Sequence, residues 1–160
     1  MSHHPYLVLA IGGVLIAFTM VLQAHRTYQR EKALIEMAAR LGFRKIQDSS
    51  PPPNVSFKGT DFWQWTRLVN RFSGSIDGIG ATVFDFERDN FRTTWRRTVI
   101  ALRTQNAPSA RGLGLATQRV GEWQWYYKAI GSFPGERLMS SADIEKNLRI
   151  LIAEATASQA

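Results

Sequence analysis

The chain has 160 residues, 44% of them hydrophobic, with a net charge of +7 and no cysteine, so it favours one folded domain and excludes disulfide scaffolds and cysteine metal sites. Its three histidines all lie within the first 25 residues, so the remaining chain cannot supply a histidine base or a histidine metal ligand. We therefore expect a protein that is not an enzyme and that holds no cofactor.

The first predicted element is a membrane-spanning helix. Residues Tyr6 to Ala24 carry no formal charge, and at 1.5 Å per residue they span about 28 Å, close to the hydrocarbon thickness of a bilayer. A cleaved signal peptide is the alternative, but it needs positive charge before the apolar stretch, and residues Met1 to Pro5 contain no lysine or arginine. We therefore favour an uncleaved anchor, with residues 1–24 forming the tail and the membrane helix.

Lysines and arginines predict how this helix is oriented. None precedes the span, whereas residues 25–45 hold six basic residues against two acidic ones. Because positive residues near a span stay on the cytoplasmic side, we expect the amino terminus outside and the larger part of the chain in the cytoplasm, at a bacterial inner membrane. The same residues can attract anionic lipid headgroups. The headgroup candidates are Arg26, Arg30 and Lys32.

Small residues recur along the predicted span at helical spacing. Ala10, Gly13, Ala17 and Ala24 share one side of a helix, where they would let another membrane helix approach closely. Alanine and glycine are also common in membrane helices that make no such contact, and the sequence leaves both interpretations open. His25 follows the span and is expected to contact water or headgroups rather than a haem or a pigment.

The helical pattern continues beyond the membrane as a predicted stalk over residues 25–43. Leu34, Met37 and Leu41 follow helical spacing, and Gly42 can adopt the left-handed cap conformation. Residues 44–56 contain three consecutive prolines and predict a stiff linker. The cytoplasmic domain is then expected over residues 57–160.

That domain is predicted to be an antiparallel β-meander of four to six strands with one packed helix, an α+β fold. Strands are expected at 67–75, 81–87, 93–104 and 122–130, with Asp77-Gly78 forming a hairpin turn and 113–115 adding a possible short strand. Ser140 predicts the cap of a final helix, whose apolar stripe should cover one sheet face.

Three carboxylates alternate at the end of the second strand, at Asp85, Glu87 and Asp89. They would project from one face, which is the minimum arrangement for a calcium site or an acid/base pair. Four arginines at or just beyond the same turn can neutralise them, so we favour surface ion pairs over an enzyme. These arginines are Arg88, Arg92, Arg96 and Arg97.

Arginine and tryptophan mark a predicted partner-binding surface. Fifteen of the twenty basic residues are arginines, whose planar group suits protein contacts, and five tryptophans exceed what so small a core readily buries. A sheet face covered by the final helix would explain the tryptophans equally well. Membrane tethering argues against nucleic acid as the partner. The partner-binding candidates are Arg92, Trp95, Arg96, Arg97, Trp123 and Trp125.

The stretch from Gly74 and Gly78 to Thr82-Val83-Phe84-Asp85-Phe86, followed by Thr98-Val99-Ile100, resembles a pattern in a family of uncharacterised bacterial single-pass membrane-anchored proteins. The resemblance covers about residues 66 to 104 and departs from the family where a proline should follow the third strand, since Pro108 matches that position only approximately. It implies a membrane-tethered β-rich module and brings no activity with it.

These expectations converge on a non-catalytic accessory subunit that docks on a larger bacterial membrane protein complex. Its membrane helix and its cytoplasmic faces would contact other subunits, and its basic residues would contact anionic lipids. The alternative is a membrane-tethered sensor that binds a lipid headgroup or a small anion through its arginines.

Overall fold

The computed structural model describes residues 5–48, 62, 67–90, 93–110, 112–129 and 138–158, with side-chain positions for all of these except 5–8, 88–90 and 93–95. The three prolines of the predicted linker, together with Trp63 and Trp65, lie outside the described residues.

The first described element is one long helix, α1 (Pro5–Arg40), which contains the whole predicted span and continues without a break through most of the predicted stalk. Gly42, two residues beyond the end of α1, has a φ of 70°, the left-handed conformation expected from the sequence. The Phe43 N–H donates to the Ala38 carbonyl at 2.8 Å, and the Gly42 N–H donates to the Ala39 carbonyl at 3.2 Å. These two bonds satisfy carbonyls that would otherwise have no partner at the helix end.

Within the described residues, six strands form one antiparallel sheet: β1 (Arg44–Ile46), β2 (Arg67–Ile76), β3 (Ile79–Asn90), β4 (Thr93–Arg103), β5 (Ala116–Val120) and β6 (Trp123–Tyr127). Their order across the sheet is β1-β2-β3-β4-β6-β5. The predicted α+β class is therefore confirmed, and the six strands agree with the predicted range of four to six.

The turn between β2 and β3 is the hairpin that the sequence predicts. Asp77 and Gly78 both have positive φ, 52° and 79°. Two consecutive positive φ values match the right-handed twist of the flanking strands, which is why Asp-Gly is favoured at this kind of turn.

An irregularity interrupts β2 before it reaches that turn. The pairing of β2 with β3 shifts register between Val69 and Phe72, and Asn70 has a φ of 51°. A bulge of this kind inserts an extra residue and redirects the neighbouring side chains. The shift matters below, because Asn70 and Arg71 take part in separate sites.

The sheet has an apolar core on each face. On one face, α1 and the final helix, α2 (Ser141–Ala157), cover the sheet. The opposite face carries an aromatic cluster that includes Phe62, Phe84 and Trp125. The helix-covered core includes Leu34, Met37, Phe72, Val83, Ile100, Tyr126, Ile144, Leu148 and Leu151.

The final helix follows its predicted pattern. Ser140 caps α2 by accepting a hydrogen bond from the Asp143 N–H at 3.0 Å. Ile144, Leu148 and Leu151 are fully buried against the sheet, which confirms the apolar stripe. Both predicted features of α2 therefore have their expected roles: the Ser140 cap begins the helix, and the apolar stripe packs the helix against the sheet.

Two features of the sheet depart from the expected meander. β1 lies within the segment predicted as a linker and pairs with β2. β6, which is later in sequence than β5, pairs directly with β4 and leaves β5 at the edge. The β5–β6 hairpin thus folds back onto β4, whereas a simple meander would place β5 there.

Candidate functional site

The amino-terminal half of α1 presents an uncovered apolar surface. Its large hydrophobic side chains from Leu9 to Leu22 are 40–72% exposed. The helix is long and apolar enough to cross a membrane. A continuous apolar surface of this size on a helix is costly in water and favourable in hydrocarbon.

The carboxy-terminal half of the same helix belongs to the domain core. Leu34, Met37 and Ala38 are at most 3% exposed and pack with residues of the sheet and of α2. Arg40 near the helix end also donates to Glu145 of α2 at 2.9 Å. The predicted stalk is therefore part of the folded domain rather than a separate element.

A buried ion pair joins α1 to the sheet. Arg30 donates from Nε to Oδ2 of Asp85 at 2.9 Å and from Nη2 to Oδ1 at 2.7 Å, and the Asp85 side chain is only 1% exposed. Two parallel bonds between a planar guanidinium and a carboxylate fix both distance and orientation. The pair therefore fixes how α1 packs on β3, and it does so at Arg30, about one and two-thirds helical turns beyond Ala24.

Two side chains from the neighbouring strands and the backbone of Met139 complete this network. Asn70, at the β2 bulge, donates from Nδ2 to Asp85 at 3.0 Å, and the Thr98 hydroxyl on β4 donates to the same carboxylate at 2.8 Å. Arg30 also donates from Nη1 to the carbonyl of Met139, just before α2, at 2.8 Å, and the Met139 N–H donates to Thr98 at 3.0 Å. We call these five residues the Arg30–Asp85 network.

A second buried carboxylate lies on the same face of β3. Glu87 is 1% exposed and accepts bonds from Arg67 of β2 and Arg96 of β4, each at 2.8 Å from Nε. The expected pairing of the carboxylates with hairpin arginines holds for Arg96. Glu87 itself is buried, so the pair is half-buried and not the expected surface pair. Asp85 instead takes its cation from α1. Both carboxylates thus hold elements together in the folded domain.

Within the described residues, no group of three or more histidines, cysteines and acidic residues is placed to hold a metal ion. The Asp89 side chain, which the sequence offered as a third carboxylate, lies outside the described side chains.

A groove lies where α1 leaves its apolar stretch and meets the sheet. Its volume is about 490 Å³. Glu31 on its wall also pairs with Lys45 of β1, and Arg96 is 22% exposed there while it pairs with Glu87. The groove therefore combines an apolar helix side with both signs of charge. Its lining residues are Met20, Gln23, Ala24, Thr27, Tyr28, Glu31 and Arg96.

A smaller cavity of about 130 Å³ lies on the opposite face of the sheet. Arg71 borders it, and the Nε of this arginine is buried without a hydrogen-bond partner in the described chain. The other walls are mainly apolar and aromatic. They are formed by Leu68, Thr82, Phe84, Ala101, Trp123 and Trp125.

The predicted partner-binding residues occupy different environments. Trp125 and Arg97 are each 2% exposed, and Arg97 stacks on the rings of Phe62 and Tyr127 at 5.2 and 5.0 Å. A partner cannot reach them in this arrangement, because aromatic side chains of the same domain cover them. Trp123 is half-buried. Arg92 and the Trp95 side chain lie outside the described part of the chain.

Among the predicted headgroup-binding and helix-packing residues, all but one are exposed. Arg26 and Lys32 are exposed, as a headgroup contact requires. Arg30 turns inward and donates to Asp85, Thr98 and Met139, so its guanidinium is directed away from lipid. The predicted helix-packing residues Ala10, Gly13, Ala17 and Ala24, and also His25, are all exposed on α1.

Sequence reasoning missed the network and the Arg71 cavity. One signal for the network was present: Asp85 follows Ala81 and Val83 on the face that the final helix covers, so its carboxylate had to be buried and needed a cation. Nothing in the local sequence indicated that Arg30, 55 positions earlier, supplies it.

Comparison of the chain with protein-family models, curated proteins and solved structures gives no match. The family resemblance drawn from the sequence therefore stays a prediction.

Proposed function

We propose that this protein is a non-catalytic, single-pass accessory subunit that docks on a larger membrane protein complex. Its amino terminus lies outside a bacterial inner membrane and its α+β domain lies in the cytoplasm. The apolar half of α1 provides the membrane contact, and its small residues contact a helix of another subunit.

One observation carries the proposal: α1 is exposed and apolar at one end and part of the domain core at the other. Arg30 clamps the helix to the sheet only six residues after Ala24, so the domain lies close to the membrane surface with a limited range of orientations. A domain held in this way suits docking on a neighbouring subunit, because little orientational freedom remains to be lost on binding.

The internal use of the carboxylates also supports a non-catalytic role. Asp85 and Glu87 each bind arginines within the domain, so neither carboxylate approaches a substrate without breaking a buried ion pair. Such a rupture is costly, since it leaves an uncompensated buried charge.

The test is detergent extraction followed by native size separation, in which the protein is followed through a carboxy-terminal tag. We expect the wild-type protein to migrate with a larger complex, and Gly13→Leu/Ala17→Leu to migrate alone because the added side chains hold a neighbouring helix away. Leu15→Phe/Thr19→Leu enlarges roughly the opposite side of α1 and serves as the control, which should still migrate with the complex. A wild-type protein that migrates alone would contradict docking.

The groove favours a second candidate function, the binding of a phospholipid headgroup. It joins the end of the apolar stretch at Met20 to charged groups of both signs, at Glu31 and Arg96, an arrangement that suits a zwitterionic headgroup. Mass spectrometry of lipids retained by the purified protein tests this function. The Tyr28→Ala/Glu31→Gln protein should lose a retained phosphatidylethanolamine, whereas the control Lys146→Gln, at an exposed residue, should keep it. Equal retention of the lipid by the two variants would contradict lipid binding in the groove.

A further inference from the structure

The cavity beside Arg71 differs in chemistry from the arginine sites at Asp85 and Glu87, and, unlike the ring-covered Arg97, Arg71 borders a cavity. Arg30, Arg67 and Arg96 each bind a carboxylate of the domain. Arg71 makes no such pair among the described residues, although its Nε is buried beyond the reach of water. Arginine keeps its charge at every accessible pH, so the cavity wall holds a permanent cation.

The backbone conformation of β2 places Arg71 at the cavity. The register shift after Val69 inserts an extra residue, and Asn70 takes a positive φ while its amide binds Asp85 on the helix-covered face. Arg71 then borders the opposite face, beside Leu68. Bulges that redirect a side chain in this way are frequent next to binding sites.

The walls around the cation are apolar and aromatic. Phe84, Ala101 and the two tryptophans Trp123 and Trp125 come from three different strands, so the pocket is built across the sheet and not by one flexible loop. Apolar walls with a small number of polar residues, here Arg71 and Thr82, are the usual form of a small-molecule site.

The size of the cavity limits the ligand. Its volume of about 130 Å³ is slightly below the roughly 150 Å³ that accommodates benzene in an apolar protein cavity, so the apolar part of the ligand is at most about one ring in size. The single cation selects a single negative charge, and its planar group matches a carboxylate. An inorganic anion would bind the cation but would leave the aromatic walls uncovered.

We infer that this cavity binds a small carboxylate with a flat apolar body, such as an aromatic acid. The carboxylate accepts hydrogen bonds from Arg71, and the apolar body packs against Trp123, Trp125 and Phe84. This inference does not depend on the proposed docking function, since the cavity lies on the sheet face away from α1.

The test is isothermal titration calorimetry of the detergent-solubilised full chain with sodium benzoate. We expect saturable binding of one benzoate per chain, and binding at least tenfold weaker for benzyl alcohol and for inorganic phosphate. Phosphate or benzyl alcohol binding as tightly as benzoate would overturn the inference, and so would the absence of saturable benzoate binding.

Two variants and a control locate the site. Arg71→Gln should weaken benzoate binding at least tenfold, whereas Arg103→Gln should not, because Arg103 is exposed and pairs with Glu122. Ala101→Val keeps the cation and reduces the volume of the cavity, so it should also weaken benzoate binding at least tenfold, even if Arg71→Gln fails to fold. Unchanged affinity in a folded Arg71→Gln or Ala101→Val protein would overturn the assignment.

Discussion

Arg30 and Asp85 lie 55 positions apart in sequence and form two parallel hydrogen bonds, at 2.9 and 2.7 Å, between the first helix and the centre of the sheet. The pair is the point at which an exposed apolar helix becomes part of a folded core. Because the Asp85 side chain is 1% exposed and the Arg30 side chain 15%, neither group can recover its interactions in water if the other is removed.

Removing the carboxylate should therefore destabilise the domain. We expect Asp85→Asn to lower the free energy of unfolding by about 3–5 kcal/mol, because Arg30 then keeps a buried charge without its counterion. Urea unfolding followed by near-ultraviolet circular dichroism measures this loss. Replacing both partners, as in Arg30→Met/Asp85→Leu, should restore much of it.

Glu145, which pairs with the exposed Arg40 and Arg149, provides the control for this prediction. Glu145→Gln should cost at most about 1 kcal/mol, since water screens a surface pair. If Asp85→Asn were no more destabilising than Glu145→Gln, the network would not hold α1 to the sheet.

A glycine in β2 should be sensitive to a single methyl group. A Cβ at Gly74 would overlap the ring of Phe43, which follows the end of α1. Gly74→Ala should cost about 1–3 kcal/mol through overpacking, measured by thermal unfolding. Gly80→Ala, whose Cβ would lie 3.5 Å from Arg103 in ordinary contact, should cost clearly less; equal melting temperatures for the two variants would contradict this packing.

The cap of α2 makes a smaller contribution. Ser140→Ala removes the acceptor for the Asp143 N–H and should destabilise the domain by about 1 kcal/mol. Ser140→Asp keeps an acceptor at the same position and should retain most of the stability. A Ser140→Ala protein with wild-type unfolding would show that the cap contributes nothing.

Tyr126 should make the domain sensitive to alkali. Burial raises the pKa of its hydroxyl well above the ordinary value, Glu154 raises it further, and Arg119 opposes both. The hydroxyl donates to the Pro108 carbonyl at 3.1 Å. The folded protein keeps this proton where the unfolded chain loses it, so the stability is complete below about pH 10 and decreases as the pH rises further.

Absorbance at 295 nm during alkaline titration tests this sign. The phenolate of Tyr126 should appear only together with unfolding, so Tyr126→Phe should leave the early part of the tyrosine titration unchanged. A smaller absorbance rise near pH 10 in the still-folded Tyr126→Phe protein would show that Tyr126 titrates normally.

Local signals in the sequence were sufficient for the helices and for the central hairpin. Asp77-Gly78 predicted the turn, Gly42 the end of α1 and Ser140 the start of α2, because each depends on the backbone preference of one or two residues. The alternation along β3 also separated Phe84 and Phe86 from the carboxylates correctly.

Interactions between distant segments could not be read in the same way. β1 has only three residues and becomes a strand by pairing with β2, so its own sequence carries little signal. The burial of Trp125 under Phe62 and that of Asp85 under Arg30 depend on which elements pack together. The position of β6 between β4 and β5 depends on the same long-range packing.

The most direct test of the proposed membrane subunit is the side of the membrane on which its domain lies. The chain has no cysteine, so single substitutions at Ser2 and at the exposed Lys146 of α2 provide unique labelling sites. In intact spheroplasts, a membrane-impermeant maleimide should label Ser2→Cys and leave Lys146→Cys unlabelled until the membrane is opened. Labelling of Lys146→Cys in intact spheroplasts, or recovery of that protein from the soluble fraction, would contradict the account.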